Sequence, residues 1–214
     1  MQAARSRRGP YAKTTQRRSA IASAALELVN ERGDASVSTQ DVAERAGVTE
    51  ATVTYHFPTR DHLLVAALEE ADNINRRVFE ADGMQDVDIA DVVTRLSATA
   101  AGHPHRLKLY TSQAANAAHP EHPAHAWFLQ HQRGTLEYFV WMIRRDQDLG
   151  NAHEDVEPEQ FARQMIALWD GLQLQKLVDP TLDLPTQVVD AYKRLARADL
   201  VEARRALKNL VAEL

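Results

Sequence analysis

Residues 38–57 read STQDVAERAGVTEATVTYHF, and this stretch decides the fold. Ser38 stands at a helix N-cap with Asp41 three positions on, close to a capping box. The helix it opens is short, with Val42, Ala43 and Ala46 as its apolar contacts; small Ala43 lets a second helix approach closely. Gly47 supplies the positive φ of a tight turn, and Val48 plugs the core beside it. Thr49 caps a second short helix whose apolar contacts are Val53 and Phe57, and Pro58 ends it. Polar Thr49, Glu50, Thr52 and Thr54 are left facing outward. Helix, glycine turn, helix is the geometry of a major-groove reader. An ordinary two-helix corner has the same outline, so the pattern alone leaves both readings open.

Working outward, helical periodicity continues on both sides. From Thr14 to Glu31, Ile21, Ala25, Leu28 and Val29 make one apolar stripe, and Gly33 follows at a C-terminal cap. Downstream, Thr59 caps a longer helix carrying Leu63, Leu64, Ala67 and Leu68 and reaching about Glu80. Further helices are predicted near 87–101, 104–117, 123–145, 157–178 and 186–212. Pro104, Pro123 and Pro158 sit where a first-turn proline is tolerated. No strand alternation or internal repeat appears. The expectation is an all-α protein of about nine helices, with an N-terminal three-helix helix-turn-helix domain and a helix-bundle C-terminal domain. Its parts are a flexible basic arm over 1–13 and two helical units, over 14–75 and 82–214.

Composition narrows the function. The chain has 214 residues, 44% hydrophobic and 26% charged, the balance of a soluble globular protein. It has no cysteine, which excludes disulfides and thiolate metal sites. It has no apolar run of bilayer-spanning length and no signal-peptide core, so a cytoplasmic location and no membrane partner are expected. The net charge of −5 is unevenly spread. Residues 1–18 hold six bases, Arg17 and Arg18 among them, and no acid; the balance to residue 60 is +3, and the rest of the chain carries −8. A basic end on an acidic body suits a protein that turns one face to phosphates. A basic tail with no partner fits the charge equally well. No GxSxG, phosphate-binding loop or dinucleotide fingerprint occurs, and the 8 glycines are scattered singly, so neither an enzyme nor a cofactor is expected.

The wording around the central stretch is more specific. IASAALELVNERG, then DVAERAGVTEATVTYHFPTRDHLLVAAL, closely resembles the DNA-binding domain of the TetR family of regulators over roughly residues 14–70. The resemblance implies that the third helix lies in the major groove, with Thr49, Glu50, Ala51, Thr52, Thr54, Tyr55 and His56 as the recognition segment. It also implies phosphate or backbone contacts from Ser38, Thr39 and Gln40 at the start of helix two. Arg60, at the start of helix four, takes the place of a phosphate-binding base. Thr54 departs from the family's usual aromatic residue, although threonine can still bond a phosphate or pack on a thymine methyl. Glu50 repels phosphates, so it is expected to point to solvent, the alternative being to accept from a cytosine amino group.

The resemblance makes residues 14–75 the DNA-binding domain and 82–214 a ligand-binding and dimerisation domain, since in that family the C-terminal part binds effectors and forms dimers. HPAHAWF at 122–128 and ALWDGLQLQKLVDP at 167–180 resemble a C-terminal domain common among its actinobacterial-type members. The second phrase lies on a helix with two apolar stripes, Phe161, Met165, Leu168 and Leu172 against Ile166, Trp169, Gln173 and Leu177. A helix apolar on two faces packs on two partners, here its own domain and a twin subunit. The last helix repeats Val188, Tyr192, Leu195, Asp199, Ala203, Leu207 and Leu210 at helix-packing spacing. Leu172, Leu177, Tyr192, Leu195, Ala203 and Leu207 are therefore the expected homodimer seam. The other reading is an ordinary core.

Tyr110, Trp127, Phe128, Tyr138, Trp141 and Trp169, with Asp170 and Gln173 nearby, are the expected lining of a small-molecule effector pocket, or else part of a packed core. Seven of the nine histidines lie between 103 and 153. His119, His122 and His125 are spaced by three, but Pro120 and Pro123 break the run, so a solvated loop is expected there. A metal-responsive sensor using the His103–His125 region is the alternative. The function expected is a repressor released from a palindromic operator on double-stranded DNA by a small molecule.

Overall fold

The computed structural model describes residues 10–81 and 89–212. The expected arm, as far as residue 9, lies outside the described residues. The remainder of that expected arm is helical: α1 runs Pro10–Arg32, starting on a proline that needs no amide partner in a first turn. A short 3-10 turn (Asp34–Ser36) leads to α2 (Thr39–Ala46), α3 (Glu50–His56) and α4 (Arg60–Ala81). Then come α5 (Ile89–Ala101), α6 (Pro104–Asn116), α7 (Pro123–Asp148), α8 (Pro158–Val178), α9 (Leu184–Leu195) and α10 (Ala198–Ala212). The described residues thus form ten α-helices and no strand, where about nine were expected.

The extra helix comes from the C-terminal pattern. The single helix expected over 186–212 breaks at Arg197, which has a left-handed φ of 54°. The carbonyl of Ala196 accepts a bond from the His153 amide at 3.0 Å, and Ala196 itself is buried. A loop before α8 therefore takes a carbonyl that a continuous helix would have used. This splits the expected seam. Val188, Tyr192 and Leu195 belong to the molecule's own core, while Ala203, Leu207 and Leu210 stand exposed on α10.

Two cores organise the chain. The first joins α1 to α4 through Ile21, Leu28, Val42, Val53, Phe57, Leu63 and Leu64, and takes in Leu109 of α6. The second joins α5, α7, α8 and α9 through residues such as Met142, Ile143, Phe161 and Met165. Between them, Val65 of α4 meets Ala124 and Phe128 of α7, with Tyr110 and Trp127 alongside. Helix α4 therefore packs on α1 in one core and on α6 and α7 at the junction. Among the described residues no helix is long and apolar enough to cross a membrane.

Candidate nucleic-acid interface

The two short helices are fixed by local hydrogen bonds. Ser38 and Asp41 close a full capping box: the Asp41 amide donates to Ser38 Oγ at 3.1 Å, and the Ser38 amide donates to Asp41 Oδ2 at 3.0 Å. The Ser38 hydroxyl bond and Arg32, 2.9 Å away, hold the Asp41 carboxyl down at about 2. Gly47 takes the left-handed conformation (φ 64°) that the turn requires, and its amide reaches back to the end of α2. Thr49 caps α3 by accepting from the Thr52 amide at 3.2 Å.

This bracing leaves one row of α3 exposed: Glu50, Ala51, Thr54 and Tyr55, the last with 80% of its surface free. The Thr54 hydroxyl donates to the carbonyls of Glu50 and Ala51, so its methyl and the acceptor lone pairs of its oxygen remain to meet a partner. The His56 ring stands edge-on to Tyr55 at 5.2 Å. Lys13, Thr14 and Arg17 of α1 and Ala51, Thr52, Tyr55 and His56 of α3 line a groove of about 440 Å³. Two cationic side chains with Thr14, Thr52, Tyr55 and His56 beside them in a concave surface make a seat for an anion.

The other expected contacts fall differently. Arg18 lies over the Phe57 ring at 4.4 Å and donates to the His56 carbonyl at 3.2 Å, so it pins the end of α3 to α1. Arg60 turns back to the 3-10 turn, donating to the Asp34 carbonyl with the Asp34 carboxylate 3.8 Å away. Ser38 is spent on its cap, and Gln40 donates to Glu44 at 3.3 Å. Thr39 donates to Glu50 Oε1 at 2.5 Å. Lys13 and Thr14 are not among the expected contacts: Lys13 falls in the expected arm, and Thr14 is the first residue of the expected domain. Pro10, a good first-turn residue, is the signal that would have found them.

In the larger part, the expected aromatic set divides. Tyr110, Trp127 and Phe128 converge with His131: Trp127 stacks on His131 at 4.9 Å and meets Phe128 edge-on at 4.7 Å, and Tyr110 lies 5.2 Å from Phe128. Tyr138 stacks with Trp141 at 6.0 Å, and Trp141 is partly exposed. Trp127 and Trp141 are both on α7 and fourteen residues apart, so about 21 Å of helix separates them. One cluster around three tryptophans is therefore not formed. Trp169 packs with the second core, and Gln173 is buried.

Charged groups surround the Trp127 cluster. His131 Nδ1 lies 2.7 Å from Asp72 of α4, and Tyr110 donates to Asp170 of α8 at 3.3 Å. Burial pushes both the Tyr110 hydroxyl and the Asp170 carboxyl up, the latter opposed by the Tyr110 bond. The histidines do not gather. His103 meets the Thr99 carbonyl, His125 the Ala117 carbonyl, and His122 caps α7 with Asp61 at 3.4 Å. Among the described residues no group of three or more metal-ligating side chains is assembled.

The expected seam is also redistributed. Leu172 and Tyr192 are buried in the second core, Leu195 packs against it and Leu177 is half-buried, whereas Ala203 and Leu207 are exposed. On α8 it is Leu174 and Val178 that face outward.

Known proteins agree with this picture. A sequence profile of bacterial regulatory proteins of the tetR family matches residues 21–67. The HTH-type transcriptional regulator PksA of Bacillus subtilis (strain 168) is 24% identical over 169 residues, covering 77% of this chain and 80% of that protein. A crystal structure from Rhodococcus sp. assigned to the same family superposes with a TM-score of 0.61 at 25% identity, over 87% of this chain and 98% of that one. The multidrug binding protein EbrR, solved with imidazole, gives a TM-score of 0.60 at 25% identity, over 91% and 97% of the two chains.

Proposed function

Since the chain belongs to the TetR family of bacterial transcription regulators, which bind DNA and are not enzymes, we propose that it is a cytoplasmic repressor that leaves a two-fold operator when a small molecule binds. The observation that carries this reading is the exposed row of α3, held beside the Lys13 and Arg17 groove. A row of short side chains and one tyrosine fits a major groove, and the two cations fit a backbone phosphate next to it. The DNA-binding unit is residues 14–75 with Lys13 of the same helix just ahead of it, and the remainder, from 82 on, binds the effector and pairs two chains. Ala203 and Leu207, with Leu200 and Leu210 on the same helix and Leu174 and Val178 on α8, supply apolar surface for a two-fold interface.

Release works as a population shift between two spacings of the α3 helices. Helix α4 is the lever, because Asp61 ties it to His122 at the N-cap of α7 and Asp72 ties it to His131 within α7. The effector site is the Tyr110, Trp127 and Phe128 cluster beside Asp170. Rings plus a half-buried carboxylate suit an apolar molecule carrying a polar or cationic group. The likeness to a multidrug binding protein supports a small-molecule effector. The test is Tyr55→Ala, measured by fluorescence anisotropy on operator and random duplexes. Loss of discrimination by roughly 1–3 kcal/mol with random-duplex affinity kept supports the reading; full discrimination retained refutes it.

A further inference from the structure

Thr39 and Glu50 come from different helices and end on each other. Each is the first residue of its helix, and the Gly47 turn folds α2 back so that the two meet. The Thr39 hydroxyl donates to Glu50 Oε1 at 2.5 Å, although both side chains have solvent available. One carboxylate oxygen is thereby held, and Oε2 remains as an acceptor in the exposed row with Ala51, Thr54 and Tyr55. The Thr39 hydroxyl is thus engaged by a neighbouring side chain, and the Glu50 carboxylate, exposed as expected, is held in the row by that bond.

We propose that Glu50, oriented by Thr39, is the specificity-determining residue that selects a cytosine at one position of each operator half-site. The inference rests on the assignment of α3 as the DNA reader. A carboxylate offers acceptors only. At the major-groove edge guanine presents two acceptors and thymine presents one, so both repel it. Adenine presents its amino donor beside the N7 acceptor, which sets a repulsion against the bond. Cytosine alone presents an amino donor with no acceptor on its own major-groove edge. Phosphates cannot be the partner, since like charges repel. A carboxylate in the reading row therefore gains only where it meets that amino group, and elsewhere it disfavours binding. Thr39 is the positioning residue: it fixes the carboxylate in one orientation before DNA arrives.

The experiment uses the full-length protein. Wild type first selects sequences from a random duplex library, and every position of the enriched site is then varied singly in anisotropy titrations at fixed salt. Wild type should prefer cytosine at one symmetric pair of positions by about tenfold, the yield of one good base contact. Glu50→Gln should move the preference there to adenine, which a carboxamide reads through N6 and N7. Glu50→Ala should abolish the preference at that pair and leave the others intact. Thr39→Ala should weaken it, and Thr39→Ser should restore it. If the Glu50 variants bind every duplex tighter by one common factor with unchanged base preferences, Glu50 merely points to solvent and the proposal falls alone. If wild type enriches no sequence, the reader assignment falls with it. Glu50→Gln keeps the side chain's shape, so it decides the matter even if the alanine variant folds poorly.

Discussion

Removing both cations of the groove, in Lys13→Ala with Arg17→Ala, should change how operator binding responds to salt. Each phosphate neutralised by a base contributes about −0.9 to the slope of log affinity against log salt. Two such contacts per protomer make four per dimer, so the double variant should flatten the slope by about 3.6. Between about 50 and about 200 mM salt that amounts to roughly 150-fold less loss of affinity than wild type suffers over the same range. Arg18→Ala is the control that the structure supplies. Arg18 is engaged by the Phe57 ring and the His56 carbonyl, so its loss should lower the melting temperature and leave the slope nearly unchanged. Anisotropy titrations across a salt series, with thermal melts alongside, read both quantities. An unchanged slope for the double variant, or an equal flattening by Arg18→Ala, would refute the assignment of the groove to a phosphate.

Three further outcomes are expected. The Asp41 carboxyl is depressed in the folded state, so the stability it contributes is present above the usual carboxylate range and is lost as pH falls toward about 2. Asp41→Asn should therefore melt lower than wild type at neutral pH, with the gap closing in acid; a constant gap would separate the effect from ionisation. Asp170 has the opposite sign, because burial raises its carboxyl and charging it opposes folding as pH rises above the unfolded value. Asp170→Asn should melt higher than wild type at neutral pH, lose that advantage in acid, and respond less to effector with unliganded DNA affinity unchanged; a lower melting point at neutral pH would contradict the burial argument. Leu207→Glu places a charge on an exposed apolar stripe, so light scattering should report a single chain with helicity intact. A mass still at two chains would move the interface elsewhere.

The helix-turn-helix was legible because its signals are local: a serine with an acid three residues on, a glycine between two short apolar repeats, and a proline after Phe57. Each found its expected partner within a few residues. What the sequence hid depends on contacts between distant segments. Arg18 and Arg60 look like free cations in the chain, and only the fold brings the Phe57 ring and Asp34 to them. The break at Arg197 has no glycine or proline to announce it, since the loop before α8 supplies the bond that holds it. The three tryptophans share a domain, but two of them are fixed far apart by the length of the one helix that carries them. Tyr192 and Leu195, expected in a seam between subunits, pack in the chain's own second core, because helical periodicity does not say whether the surface packed against belongs to the same chain or to another.

Whether paired α3 helices read a two-fold operator is decided by sequence selection from fragmented genomic DNA. The protein should enrich an inverted repeat whose half-sites lie about 34–36 Å apart or at a multiple of that distance, with two chains bound per site. Fragments retained without a common sequence, or a motif with no inverted symmetry, would contradict that reading.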